Sequence, residues 1–94
     1  MRKALVDDRP ILLLRRTDAL FAFQGRCPHE GGVLANGTLE RDRVICPLHG
    51  AAFAIPGGTL LTDPDGIAPP SGDVPSLTSY PARVTSGTVE VDLG

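Results

Sequence analysis

An antiparallel all-β fold is what this chain of 94 residues predicts, and three observations predict it. Eleven Gly and nine Pro make up a fifth of the residues, so breaks come too often for a helix of ordinary length. Short runs rich in Val, Ile, Leu and Phe recur between turn signals. Apolar residues at helical spacing, by contrast, are hard to find.

Taken in order, residues 3–6 and 10–15 read as two strands of a hairpin turning at Asp7, Asp8 and Arg9, and a third strand over 20–24 follows a turn at Thr17 and Asp18. Side chains alternate across a strand, so Phe21 and Phe23 share one face and are expected in the core. Residues 30–37 form a loop, after which strands over 38–40 and 43–46 make a hairpin around Arg41 and Asp42. A strand over 51–55 runs into a turn at Pro56, Gly57 and Gly58, and a closing hairpin pairs 80–85 with 88–92 across Ser86 and Gly87. The segment 62–76 is long for a loop without structure in so small a chain. It is either a functional cover or a tolerated surface insertion. No internal repeat and no second domain are visible, so 1–94 is expected to be one domain.

A net charge of −2, with the basic residues scattered, offers no stripe for nucleic acid. The longest apolar run, 11–14, is far too short to span a bilayer, and the expectation is a soluble, cytoplasmic protein with no membrane partner. With no Trp, one Tyr and three Phe, the core is thin, and a metal centre binding only the folded form would add stability.

Every cysteine and histidine of the chain falls in two short stretches, Cys27-Pro28-His29 and Cys46-Pro47-Leu48-His49, separated by sixteen residues. Gly31, Gly32 and Gly50 follow them, where the backbone is expected to approach a bulky centre and offer N–H groups to sulfur. Zinc accepts two Cys and two His, but its usual spacing pairs like with like, whereas each pair here is mixed. A disulfide would leave both histidines unexplained, and a reducing compartment disfavours it. A catalytic Cys–His pair would make the second pair redundant. A two-iron cluster with two thiolates on one iron and two imidazoles on the other is the fourth reading of this donor set.

The spacing Cys-x-His, sixteen residues, Cys-x-x-His resembles the Rieske [2Fe-2S] signature, and the resemblance extends over Gly50-Ala51-Ala52-Phe53, the 56–58 turn and the stretch 80–84. It implies an antiparallel β-sandwich with a cluster-binding subdomain formed by two loops, about 25–57, inserted in a basal β-domain. It further implies that Cys27 and Cys46 bind the inner iron, while His29 and His49 bind an outer iron near the surface. Members that oxidise quinols carry a disulfide where this chain has Gly32 and Leu48, and hydroxyl donors where it has Ala51 and Phe53. Fewer donors to sulfur place the expected potential near the low end of the family range, roughly −150 mV.

Ring-hydroxylating dioxygenases add a mononuclear iron held by two further histidines and a carboxylate, and no histidine is left over for one here. The expected role is therefore a one-electron carrier, not an enzyme by itself, passing electrons from a flavoprotein reductase to an oxygenase terminal component. A domain or subunit of a larger oxidoreductase and a zinc-binding structural module are the alternatives. Pro28, Pro47 and Leu48 around the exposed imidazoles form the expected docking patch. Glu30 and the aspartates of the loops are expected to be solvated charges and turn formers. The 62–76 loop is several residues longer than in typical members, and its Ala68-Pro69-Pro70 stretch lies where they carry a covering, proline-rich segment.

Overall fold

A computed structural model describes residues 1–16, 19–28, 31–72 and 74–94. Among the described residues, ten strands and two single-turn 3-10 segments make up the regular structure, in three antiparallel sheets. Strands β1 (Arg2–Val6), β2 (Arg9–Arg16), β3 (Ala19–Gln24) and β8 (Ser79–Tyr80) form one sheet in the order β1-β2-β3-β8. A second contains β4 (Thr38–Leu39), β5 (Arg43–Ile45), β6 (Ala52–Ala54) and β7 (Leu60–Thr62), in chain order. Strands β9 (Ala82–Thr85) and β10 (Thr88–Val91) pair as a separate hairpin. No helix among the described residues is long and apolar enough to cross a membrane.

Turn chemistry sets the hairpins. The first closes on Asp7 and Asp8 alone, with φ of 49° and 65°, between the paired Val6 and Arg9. Two successive left-handed residues are the signature of the hairpin turn that matches strand twist, and Asp tolerates that region better than most side chains. Ser86 and Gly87, at φ 50° and 79°, repeat the device between Thr85 and Thr88. The turn expected at Thr17 and Asp18 lies outside the described residues.

Cross-strand register then builds the core. Leu12 pairs with Phe23 and Leu14 with Phe21, placing all four on one face. Phe23 is buried in the core cluster with Leu12 and Leu14, and the half-buried Phe21 packs against that cluster. From the second sheet Val44, Phe53 and Leu60 join the same cluster, and the connecting segments contribute Leu34, Leu77, Cys27 and Cys46. Phe53 is fully buried, a gain of about 3 kcal/mol over exposure. The two cysteines are thus part of the wall that the two larger sheets share.

Three sequence expectations change. The strand expected over 80–85 is two strands: Ser79 and Tyr80 pair with β3, and Ala82–Thr85 pairs with β10. Pro81 stands at the break because it has no N–H for a ladder, while its carbonyl accepts the Asp92 N–H at 2.9 Å. Strand β7 escapes prediction because it is three residues long, and its first N–H is satisfied by the Ser76 hydroxyl at 3.0 Å. The long loop is not structureless: it holds a 3-10 turn at Pro64–Gly66 and a bridge between Asp63 and Ile67, and Val74 packs against the core.

Candidate metal centre

The two cysteines are held by the same pair of backbone hydrogen bonds. The Cys27 N–H donates to the Gly32 carbonyl at 2.8 Å, and the Gly31 N–H donates back to the Cys27 carbonyl at 2.9 Å. Nineteen residues on, the Cys46 N–H donates to Ala51 at 2.8 Å and the Gly50 N–H to Cys46 at 3.2 Å. Just outside each turn the flanking residues pair, Arg26 with Val33 and Ile45 with Ala52. Each loop is thus a hairpin tip of identical hydrogen-bond pattern, although the histidine is the third residue of one and the fourth of the other. The pattern corresponds to Cys-Pro-x-x-Gly written twice, a short internal repeat that the reading of the sequence missed.

The glycines divide the labour differently from the expectation. Gly31 and Gly50 have φ of +74° and +77°, and a Cβ on either would meet nothing within 4 Å, so backbone conformation selects them and close approach does not. Gly32 is the reverse case: its φ is unexceptional, but a Cβ would lie 3.1 Å from the Cys46 sulfur and 3.0 Å from Cγ of Leu48. Here one loop presses against the other. Gly32 and Leu48, the two positions matched to the disulfide of quinol-oxidising members, therefore face each other across the site.

Cys27 and Cys46 are 3% and 4% exposed, and both carry thiols with no disulfide between them. Their burial beside Ala51 and Phe53, themselves fully buried, surrounds the sulfur donors with apolar groups. His49 projects outward, its side chain 45% exposed, next to an exposed Leu48 and Pro47. Buried thiolate donors with an imidazole on the solvent side suit a centre with one inner and one outer metal, and the missing side chain of Gly32 lets the first loop close against the Cys46 sulfur. His29 and Glu30 lie outside the described residues. Among the described residues no three of His, Cys, Asp and Glu form a group able to hold a single ion.

Sequence reasoning also missed Asp65. Its backbone N–H donates to the His49 carbonyl, and its carboxylate lies 3.9 Å from Nδ1 of His49. The Asp65-Gly66 pair announces a turn, but nothing in the sequence says which loop that turn touches. Ala68-Pro69-Pro70, singled out as a covering segment, lies further along the same loop.

Comparison with known proteins is consistent with this arrangement. A family model described as the Rieske [2Fe-2S] domain matches residues 1–81. The 3-phenylpropionate/cinnamic acid dioxygenase ferredoxin subunit of Escherichia coli K12 is 33% identical, over 94% of this chain and 77% of that subunit. Among solved structures, a complex of reduced oxygenase and oxidized ferredoxin in carbazole 1,9a-dioxygenase contains a chain that superposes with a TM-score of 0.75 at 28% identity, over 97% of this chain and 86% of that one. Pseudomonas putida NdmA shares the fold at a TM-score of 0.81 and 19% identity, this chain covering 28% of it.

Proposed function

This chain belongs to the Rieske [2Fe-2S] domain family, and we propose that it is the ferredoxin of a multicomponent oxygenase, taking one electron at a time from a flavoprotein reductase and delivering it to the terminal oxygenase. When bound, a [2Fe-2S] cluster supplies a one-electron couple and no bond-making chemistry. In this proposal the thiolates of Cys27 and Cys46 hold it from the protein side, and the imidazoles of His29 and His49 hold it from the solvent side. The observation that carries the assignment is the repeated hairpin tip, which sets one buried cysteine at the same step of each loop. His29 enters from the sequence pattern alone.

The protein's own contribution is to shield and to expose. Phe53, Ala51 and Leu34 keep water from the sulfur donors, while the half-exposed His49 gives electrons a short path out. Leu48, 53% exposed, and Pro47 beside it offer a small apolar contact, which suits the brief, limited-area encounters of redox partners. We further read 1–94 as one domain with the cluster-binding portion at about 25–57, working in the cytoplasm, where thiols stay reduced until metal claims them.

The test is spectroscopic. Anaerobically purified protein should be red-brown, and after dithionite should give an electron paramagnetic resonance signal of the low average g typical of mixed His/Cys ligation. His49→Cys should abolish that signal. A colourless protein holding stoichiometric zinc after reconstitution with iron and sulfide would sink the proposal.

A further inference from the structure

The loop following β7 is tied into a closed strap. Asp63, 8% exposed, accepts the Ser71 N–H on Oδ2 at 2.8 Å, donates its own N–H to the Ile67 carbonyl at 2.8 Å, and receives the Gly66 N–H on its carbonyl at 3.2 Å. Residues 63 to 71 are thereby knotted at their neck by one buried aspartate. The tip of the strap is Asp65, and it reaches the second ligand loop through its N–H on the His49 carbonyl. Its own backbone is left-handed, at φ +66°, a conformation that costs any residue with a Cβ. Glycine would hold the same turn without that cost, and the next residue is already Gly66, at +77°. A turn alone does not require a carboxylate at this position.

We propose that Asp65 is a positioning residue of the redox centre, its backbone fixing the His49 loop and its carboxylate lowering the reduction potential. The proposal rests on His49 being a ligand of the outer iron. Reduction adds negative charge next to an imidazole that already has an anion 3.9 Å from its Nδ1. A fixed like charge disfavours the added electron. The carboxylate is 79% exposed, so water screens much of the effect, and a modest shift is expected.

The experiment measures the potential of the reconstituted holoprotein against a one-electron mediator at one pH, for wild type, Asp65→Asn, Asp65→Gly and Asp65→Glu. Asn and Gly both accept the left-handed backbone and keep the N–H donor, so each removes the charge without breaking the turn. Both should move the equilibrium about three- to tenfold toward reduced protein, the range a unit charge exerts across an imidazole ring in surroundings between water and a protein surface. Asp65→Glu should stay within about twofold of wild type by the same reasoning. The resonance spectrum of each reduced sample separates the two readings. Wild-type protein without the mixed His/Cys signal overturns the ligand assignment and this proposal with it. An intact signal with unchanged potential in the Asn and Gly variants overturns the role of Asp65 alone.

Discussion

Substituting the three glycines of the ligand loops separates a demand of backbone conformation from a demand of space. In Gly50→Ala the new Cβ meets nothing within 4 Å, so its whole cost is the left-handed φ of +77°. That cost is about 1 kcal/mol, or about 4–8 °C in midpoint for a domain of this size. Asn tolerates the region, and Gly50→Asn should recover much of the loss. Gly31→Ala, at φ +74°, should behave like Gly50→Ala. Gly32→Ala carries no such penalty, but its Cβ falls 3.1 Å from the Cys46 sulfur, a few tenths of an ångström short of ordinary contact. Leu48, being 53% exposed, can swing aside, whereas Cys46, at 4%, is hemmed in by the core. The strain must therefore move the sulfur, which visible circular dichroism of the holoprotein detects. Thermal midpoints and visible spectra measured together on all four variants test the reasoning. Gly50→Asn as damaging as Gly50→Ala, or Gly32→Ala with an unaltered visible spectrum, would refute it.

Two further outcomes follow from the surface. Leu48→Ala should slow electron delivery to the terminal oxygenase up to about tenfold, the equivalent of about 1.4 kcal/mol of lost contact, while leaving potential and spectrum unchanged; stopped-flow rates identical to wild type below saturation would remove Leu48 from the docking contact. At the β4–β5 turn, the Arg43 guanidinium, 3.0 Å from Asp42, holds the Asp42 carboxyl below the usual carboxylate range. A depressed carboxyl contributes stability above its unfolded pKa and loses it as pH falls through the folded one. The difference between wild type and Asp42→Asn should therefore be small, because the pair is exposed, and should vanish in acid. A difference that grows toward low pH in denaturant titrations would contradict the assignment.

Much of the fold was legible because its signals are local. Asp7-Asp8 and Ser86-Gly87 specify turns by their own backbone preferences, and Leu12, Leu14, Phe21 and Phe23 specify a face by alternation. Strand β7 and the break at Pro81 were less legible, since a strand of two or three residues is defined by its partner and carries almost no pattern of its own. The Cys-Pro-x-x-Gly repeat is present in the letters but masked by its histidines, which stand third in one copy and fourth in the other.

By itself the sequence determined which thiol and imidazole side chains the protein has to offer, because that chemistry belongs to residue type, and their mixed order, because order along the chain is covalent. It also determined the family, through motifs that are local in the chain. Only the tertiary structure decided that Gly31 and Gly50 serve conformation while Gly32 serves space, that Leu48 stands against Gly32, and that the tip of the strap rests on His49. These are contacts between segments distant in the chain, and distance in space is set by how the sheets pack around Phe23 and Phe53.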